Sequence, residues 1–271
     1  MMRIGCCINL SSAFQDADGP EAIPRFAELG FDYLEFPLVS VAELADAAYR
    51  ELLGKVRSGG LPVEACNVSF PGGFRLTGGE ARHEEAINYF RLATGRAAEL
   101  GVKVIVLGSS GARNVPSGFP HEKAWEQFKA LLCKLHEVVK PLGITIAVEP
   151  LNRTETNFIT TAADGLKLVQ ELSLDYIKLI IDYFHMRMED EAAAIVTQAG
   201  PALAHIHIAA KEGRRYPRRG DGENYREFFD LLTAAGYRGR VSIEGSSEAP
   251  VVDAAEALKV LRPLTASVIS V

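Results

Sequence analysis

Acidic and imidazole side chains stand at the ends of several short apolar runs in this sequence. Three runs end in a carboxylate and a fourth ends in a pair of histidines: ITIAVE (144–149) ends at Glu149, KLIID (178–182) at Asp182 and RVSIE (240–244) at Glu244, and HIHI (205–208) contains His205 and His207. Carboxylate oxygens together with one imidazole suit Mn²⁺, Mg²⁺ or Co²⁺ better than a thiolate site would. These residue types therefore point to a divalent cation, provided that the fold brings the runs together.

Short apolar runs alternate with longer amphipathic stretches along the whole chain. The runs are β-branched and mostly free of polar residues, which is typical of strands in a parallel sheet whose outer face is covered. The predicted strands span residues 3–8, 33–38, 63–68, 102–108, 144–149, 176–182, 202–208 and 240–244. The predicted helices span residues 20–29, 41–58, 80–100, 121–142, 162–172, 189–199, 223–235 and 252–262. The chain therefore repeats a strand–helix unit.

Two architectures fit such a repeat, an open doubly wound sheet and a closed (β/α)8 barrel. Repeating the unit over 271 residues matches the usual size of the barrel. No GxGxxG pattern follows the first predicted strand, so the fingerprint of a dinucleotide-binding sheet is absent. We therefore predict an α/β fold, a (β/α)8 TIM barrel, that forms a single domain over residues 1–271.

The strands of such a barrel all end at one mouth, which is where active sites lie. Since side chains alternate along a strand, Glu149, His207 and Glu244 point inward while their apolar neighbours face the helices. Asp182 shares its face with Ile180, which suits the inner layer. Three carboxylates and a histidine at one point repel each other and are costly to desolvate unless a cation lies among them. The pattern therefore predicts a metal site.

Composition argues against several functional classes. The chain carries 29 basic and 35 acidic side chains and no basic stripe, which argues against nucleic acid as a partner. No run approaches the roughly 18 apolar residues of a membrane span, and the first residues lack the pattern of a signal peptide. The four cysteines lack metal-type spacing and are expected to be reduced, buried thiols. We therefore expect a cytoplasmic protein that does not act on membranes.

Five segments carry a resemblance to a known family. They are GSSGARNVPSGFP (108–120), EPLNRTETN (149–157), DYFHM (182–186), HIHIAAKEGRRYP (205–217) and GYRGRVSIEG (236–245). With these segments in this order, the sequence resembles the sugar phosphate isomerase/epimerase superfamily of xylose isomerase-like TIM barrels. Within that superfamily it is most similar to the ketose 3-epimerases of the D-tagatose and D-psicose type.

The resemblance implies roles for particular residues. The family's metal ligands are matched by Glu149, Asp182, His207 and Glu244, and its paired acid/base residues by Glu149 and Glu244. Its substrate-contacting positions are matched by His185, Glu155 and Arg214. The implied cofactor is a divalent metal ion, Mn²⁺ first, with Mg²⁺, Co²⁺ or Zn²⁺ as alternatives. The implied partner is a small sugar or sugar-like substrate, and a homodimer or homotetramer is the expected assembly.

The implied reaction is inversion of the carbon beside the carbonyl of a 2-keto sugar. One glutamate removes the proton from that carbon and the other returns a proton to the opposite face. Between the two steps the metal would stabilise an enediolate. Return of the proton to a different carbon would instead give aldose–ketose isomerisation.

The sequence departs from the family in the loop after the seventh predicted strand. The epimerases carry an acidic residue three positions after the metal-binding histidine, where this chain has Ala210. The spacing from His207 to the first arginine is also one residue longer. Four arginines occupy this loop, Arg214, Arg215, Arg218 and Arg219, either as solvated side chains or as a subsite for a substrate phosphate or carboxylate. The identity of the sugar therefore stays open.

Glu35 ends the second predicted strand on the same face as Tyr33, so it too is predicted to point into the barrel. Two interpretations remain, a salt bridge or the orientation of a neighbouring side chain.

Three other functions are compatible with parts of the pattern. A keto-cyclitol dehydratase begins with the same proton abstraction but then expels a hydroxyl group. An AP endonuclease-like enzyme needs further histidine ligands at the ends of the third and fourth strands, where this chain has Asn67 and Gly108. A non-catalytic sugar-binding barrel would be expected to lose one of the two glutamates, and both are present.

Overall fold

Parallel strands close into a barrel in the computed structural model, which describes residues 1–10 and 19–266. The strands are β1 (Arg3–Cys7), β2 (Tyr33–Pro37), β3 (Val63–Asn67), β4 (Val104–Leu107), β5 (Thr145–Val148), β6 (Ile177–Asp182), β7 (Leu203–Ile208) and β8 (Arg240–Ile243). Each strand pairs with the next one in the sequence, and β8 pairs with β1. The predicted α/β class and TIM barrel are confirmed. Residues 11–18 and 267–271 of the predicted domain lie outside the described residues.

Helices cover the outer face of the barrel. Within the described ranges they are α1 (Ile23–Leu29), α2 (Leu38–Glu43), α3 (Asp46–Ser58), α4 (His83–Leu100), α5 (Ser110–Arg113), α6 (His121–Val139), α7 (Ala162–Leu172), α8 (Tyr183–Met188), α9 (Ile195–Ala199), α10 (Tyr225–Ala234) and α11 (Pro250–Leu261). The long helices α4, α6, α7, α10 and α11 coincide with predicted stretches to within a few residues.

The predicted helix 41–58 is two helices, α2 and α3. The backbone of Leu44 and Ala45 between them is extended, which separates the two helices.

The helical prediction for 189–199 is wrong at its start. A regular helix, α9, begins only at Ile195, and the unpredicted helix α8 begins directly after β6. α8 starts there because the Asp182 side chain accepts a hydrogen bond from the backbone N–H of Phe184 and so caps the helix.

Apolar side chains form two cores, one on each side of the sheet. The larger core lies between the strands and the helices and includes Ile146 and Val148 of β5 and Ile243 of β8. The smaller core fills the inside of the barrel and consists of Tyr33, Ala65, Val104, Val106, Ala147 and Ile180. The alternation predicted for β5 is therefore confirmed, with Ala147 inside and its neighbours outside.

The four cysteines, all within the described residues, form no disulfide and lie in three different environments. Cys6 and Cys66 are buried as predicted, and Cys7 is half-buried. Cys133 lies exposed on α6, so the prediction of burial is wrong for this residue. None of the helices in the described ranges is long and apolar enough to cross a membrane.

Candidate metal and active site

Four side chains meet at the C-terminal end of the barrel. Glu149 follows β5, Asp182 ends β6, His207 lies on β7 and Glu244 follows β8. One ligand atom of each lies within 4.8 Å of those of the other three. Three of these residues are buried, and Glu244 is half-buried. The structure thus brings together all four residues that the sequence predicted as metal ligands.

The His207 imidazole lies between carboxylates on both of its edges. Its Nε2 is 3.0 Å from Glu35 Oε1, and its Nδ1 is 3.2 Å from Glu149 Oε1 and 3.3 Å from Glu244 Oε2. An ionised carboxylate can only accept hydrogen bonds, so Nε2 donates to Glu35. A positive charge must then separate Nδ1 from the two glutamates, and either a proton or a metal cation can supply it.

The electrostatics of the site agree with that requirement. Burial opposes the charged form of His207, but Glu244 and Glu35 raise the pKa of this imidazole well above its usual range. Burial and the neighbouring Glu244 carboxylate raise the pKa of Glu149. Burial also opposes ionisation of Glu244, yet His207 and Arg214 hold its pKa well below its usual range. Without a cation the site attracts protons to His207 and Glu149, and a divalent cation fits in their place.

Asp182 and His185 are held by the first turn of α8. Asp182 Oδ1 accepts the capping hydrogen bond of this helix, which leaves Oδ2 facing the site. His185 Nδ1 accepts hydrogen bonds from the backbone N–H of Asn152 at 3.3 Å and from its side-chain amide at 2.8 Å. The proton of this buried imidazole is therefore on Nε2, which has no hydrogen-bond partner among the described residues. This N–H lies 3.5 Å from Asp182 Oδ2 and can donate to an oxygen of a bound molecule.

Arg214 reaches the site from the loop after β7. Its Nη2 lies 3.2 Å from Asp182 Oδ2 and also contacts Glu244, while its guanidinium lies 4.8 Å from the centre of the Phe184 ring. Its backbone has a φ of 48°, a left-handed conformation that is costly for a residue other than glycine. Glu155 Oε1 lies 3.7 Å from Arg214 Nη1. The two residues predicted to contact substrate from the loops therefore lie side by side at the rim.

Only Arg214 of the four loop arginines enters the site. Arg215, Arg218 and Arg219 are exposed and form no side-chain ion pair within the described part of the chain.

Asn67 contacts Glu244, and Gly108 lies against Glu149. Asn67, the last residue of β3, donates from Nδ2 to Glu244 Oε1 at 2.6 Å. A Cβ atom on Gly108, which follows β4, would lie 2.1 Å from Glu149 Oε2, so glycine leaves the room that this carboxylate occupies. These are the positions at which an AP endonuclease-like enzyme would need histidines. The sequence showed their residue types but gave no sign of these contacts.

Two more charged side chains lie buried beside the site. Burial favours the protonated form of Glu35, but His207 and His205 hold its pKa below its usual range. Arg113 of α5 is fully buried, which lowers its pKa to about 10 even though Glu149 and Glu155 act in the opposite direction. Strand alternation predicted the inward orientation of Glu35. Nothing in the local sequence indicated that Arg113 is buried.

Known proteins share this architecture. A family model described as a xylose isomerase-like TIM barrel matches residues 23–264. The chain belongs to this family. The resemblance inferred from the motifs is therefore confirmed.

Curated relatives of this xylose isomerase-like barrel are sugar epimerases by name. L-Ribulose 3-epimerase of Mesorhizobium japonicum is 29% identical over 91% of this chain and 82% of that protein. The 3-dehydro-D-guloside 4-epimerase of Escherichia coli is 30% identical over 90% of this chain and 92% of that protein. Among solved structures, a D-psicose 3-epimerase with D-tagatose from Clostridium cellulolyticum H10 matches with a TM-score of 0.85. It covers 97% of this chain and 99% of its own at 20% identity, which shows a shared fold.

Proposed function

We propose that this protein is a metal-dependent sugar epimerase of the isomerase class, acting as a ketose 3-epimerase. The observation that carries the proposal is the approach of Glu149 and Glu244 to the same imidazole nitrogen, His207 Nδ1, from strands on different sides of the barrel mouth. A pair of carboxylates at one charged centre is what proton removal and return beside a carbonyl require. The names of the curated relatives support the same reaction class.

Glu149, Asp182, His207 and Glu244 would hold the divalent cation. The fit rests on His207, whose Nδ1 faces carboxylate oxygens and needs a positive charge there. Three carboxylates and one imidazole favour Mn²⁺, with Mg²⁺, Co²⁺ or Zn²⁺ as alternatives. When bound, such an ion polarises a substrate carbonyl and stabilises negative charge on the adjacent oxygens.

Glu149 and Glu244 are the acid/base pair in this proposal. One of the two, as the carboxylate, takes the proton from C3 of the ketose, and the other, as the carboxylic acid, gives its proton to the opposite face of C3, so the configuration inverts. Their environments differ, since burial and Glu244 raise the pKa of Glu149 while His207 and Arg214 lower that of Glu244. Pairs of carboxyl groups whose pKa values are driven apart commonly divide acid and base roles. The Asn67 amide orients Glu244 through its hydrogen bond.

His185, Arg214 and Glu155 bind the substrate in this proposal. His185 donates its Nε2–H, which has no hydrogen-bond partner within residues 1–10 and 19–266, to a substrate oxygen next to the reacting carbon. Arg214 and Glu155, which lie together at the rim, contact hydroxyl groups of the same molecule. Binding from the rim fixes the sugar so that C3 lies between the two glutamates.

The reaction can be tested with a panel of 2-ketoses, free and phosphorylated, incubated with the metal-loaded protein in deuterated water. We expect deuterium at C3 of both the substrate and its C3 epimer, without loss of water. A sample treated with a chelator is the control and should exchange no proton. A dehydrated product would instead identify the keto-cyclitol dehydratase alternative, and absence of exchange with every ketose would overturn the proposal.

Inversion at C4 of a 3-keto glycoside is a second candidate. It is favoured by the E. coli relative, which is named a 3-dehydro-D-guloside 4-epimerase and is matched over 92% of its length. The chemistry is the same, because the proton again leaves a carbon beside a carbonyl. A 3-keto glycoside in the same panel distinguishes the two, since deuterium would then enter at C4.

A further inference from the structure

We propose that Glu35 is a positioning residue that fixes the tautomer of His207, holding the proton on Nε2 so that the Nδ1 lone pair faces the cation site. The inference rests on the proposed function in one respect, namely that Nδ1 of His207 is a metal ligand. Glu35 itself touches neither substrate nor metal in this proposal.

Glu35 is the acceptor for three side chains that surround it. It lies on β2, it is fully buried, and its Oε1 is 3.0 Å from His207 Nε2. Its other oxygen, Oε2, is 2.8 Å from His205 Nε2 and 2.6 Å from Ser242 Oγ. A carboxylate offers only lone pairs, so all three partners must donate.

These contacts fix the direction of a chain of hydrogen bonds through the centre of the barrel. Because Ser242 has one hydroxyl proton and gives it to Glu35, the hydroxyl group of Tyr33, 2.7 Å away, must donate to Ser242 Oγ. His205 gives its Nε2 proton to Glu35, and its Nδ1 has no hydrogen-bond partner in the described part of the chain. Three side chains donate to Glu35 directly, namely Ser242, His205 and His207. Tyr33 donates to Ser242 and so acts on Glu35 through that hydroxyl group. If the proton of His207 moved from Nε2 to Nδ1, the lone pair of Nε2 would face Glu35 Oε1.

Packing holds this chain of hydrogen bonds rigidly in place. Tyr33, Glu35, His205 and Ser242 are each fully buried. The ring of Tyr33 occupies the space beside Gly5 of β1, where a Cβ would lie 2.3 Å from the ring carbon Cζ. The acceptor therefore cannot move away from His207 when the opposite edge of the imidazole changes its partner.

Cys7 is the other ligand-type group close to this edge of the imidazole. Its thiol belongs to a cluster with Glu35 and His207 whose ligand atoms lie within 4.8 Å of one another. Hydrogen bonds to an ionised carboxylate are stronger than those to a neutral group, so Glu35, 3.0 Å from His207 Nε2, is the better acceptor of the two.

The decisive variant is Glu35→Gln, which keeps the shape of the side chain but replaces one acceptor oxygen by a donor. We expect the affinity for Zn²⁺, measured by competition with a chelating dye, to fall about 10–100-fold, the usual loss when the partner of a metal-binding histidine is removed. Glu64→Gln is the matched control. Glu64 is an ion-paired glutamate at the other end of the barrel, and its loss should leave the affinity for Zn²⁺ unchanged.

Proton NMR of the Zn²⁺-loaded protein measures the chemical shift of the His207 Nε2–H. A general loss of stability does not change this shift in the folded protein. The His207 Nε2–H bonded to a carboxylate should give a slowly exchanging downfield signal that disappears in His207→Asn. Glu35→Gln should shift this signal upfield, and Glu35→Asp, which keeps the charge but shortens the reach, should give an intermediate shift. If Glu35→Gln does not fold, Glu35→Asp provides the same two measurements.

The outcomes separate this inference from the function on which it rests. If the wild-type protein binds Zn²⁺ and Glu35→Gln binds it equally well with the same Nε2–H signal, the positioning role is overturned while the metal site stands. If the wild-type protein binds no Zn²⁺, Mn²⁺ or Co²⁺, both the proposed function and this inference fail. A 10–100-fold loss together with the shifted signal supports the inference whatever sugar the protein acts on.

Discussion

The two ends of the barrel both carry charged side chains, but they balance those charges in opposite ways. At the N-terminal end Glu64 lies between Arg3 and Arg240, at 2.5 Å and 2.7 Å, so one anion faces two cations. Nearby, Asp32 pairs with Arg262 at 2.6 Å. At the C-terminal end Glu149, Asp182 and Glu244 are brought together with His207, and among the described residues Arg214 is the arginine that forms ion pairs with this cluster.

This difference separates stability from function within one fold. At the N-terminal end both Glu64 and Asp32 have arginine partners within the chain. The excess of carboxylates at the C-terminal end is a cost to the folded state unless a ligand offsets it. Residue types alone do not distinguish the two ends, because glutamate and arginine occur at both. What distinguishes the two ends is the number of cationic groups within hydrogen-bonding distance of each carboxylate.

The largest expected effect comes from neutralising the acid/base pair. Glu149→Gln and Glu244→Gln should each lower kcat for epimerisation by about 10³-fold or more, because each removes a proton-transfer group and a metal ligand. The measurement is turnover of the ketose identified in the deuterium experiment, with circular dichroism to confirm folding. Glu64→Gln is the control at the opposite end and should retain activity. A Glu244→Gln protein that exchanged the C3 proton at the wild-type rate would remove Glu244 from the mechanism.

A smaller effect, confined to stability, is expected at the N-terminal end. Glu64→Gln leaves Arg3 and Arg240 facing each other without their shared anion, and we expect the free energy of unfolding to fall by about 1–3 kcal/mol. Urea unfolding of the variant and the wild type measures the difference. If this variant lost catalytic activity while remaining as stable as the wild type, the division of roles between the two ends would be wrong.

The smallest effect concerns the pH dependence of the metal-free protein. Burial and Glu244 raise the pKa of Glu149, so the folded protein holds a proton there over a pH interval in which the unfolded chain has released it. Stability therefore falls as the pH rises through that interval, and the loss remains above it. Glu149→Gln removes this penalty and should be more stable than the wild type at neutral pH, with an advantage that shrinks toward about pH 4.

Urea unfolding in the presence of a chelator, repeated from about pH 4 to pH 8, measures this trend. Added Mn²⁺ should reverse the order of the two proteins, since only the wild type retains all four ligands. A difference between the two proteins that did not vary with pH would contradict the raised pKa.

The sequence predicted the barrel and most of the metal cluster because both depend on short-range patterns. Alternation along a strand is enough to turn Glu149 and Glu244 inward, and a barrel then brings strand ends together whatever the loops do. The helix α8 was missed because it depends on one capping hydrogen bond, which the Asp182 carboxylate accepts from the backbone N–H of Phe184, in a segment whose pattern is that of a strand end.

The partners of the site could not be predicted in the same way. The contacts of Asn67 with Glu244 and of Glu35 with His207 join residues more than a hundred positions apart, so no local pattern records them. Arg113 ends the short helix α5 and is fully buried, although nothing in its local sequence indicates burial. These contacts depend on how segments distant in the sequence pack together. The periodicity of a single segment does not predict that packing.

Gly108 has a consequence for anyone who redesigns this barrel. A change of the preferred sugar would call for varying residues around the mouth, yet a side chain at 108 would collide with the Glu149 carboxylate. Position 108 is therefore best held constant. Diversity is better placed at Arg215, Arg218 and Arg219, whose side chains are exposed.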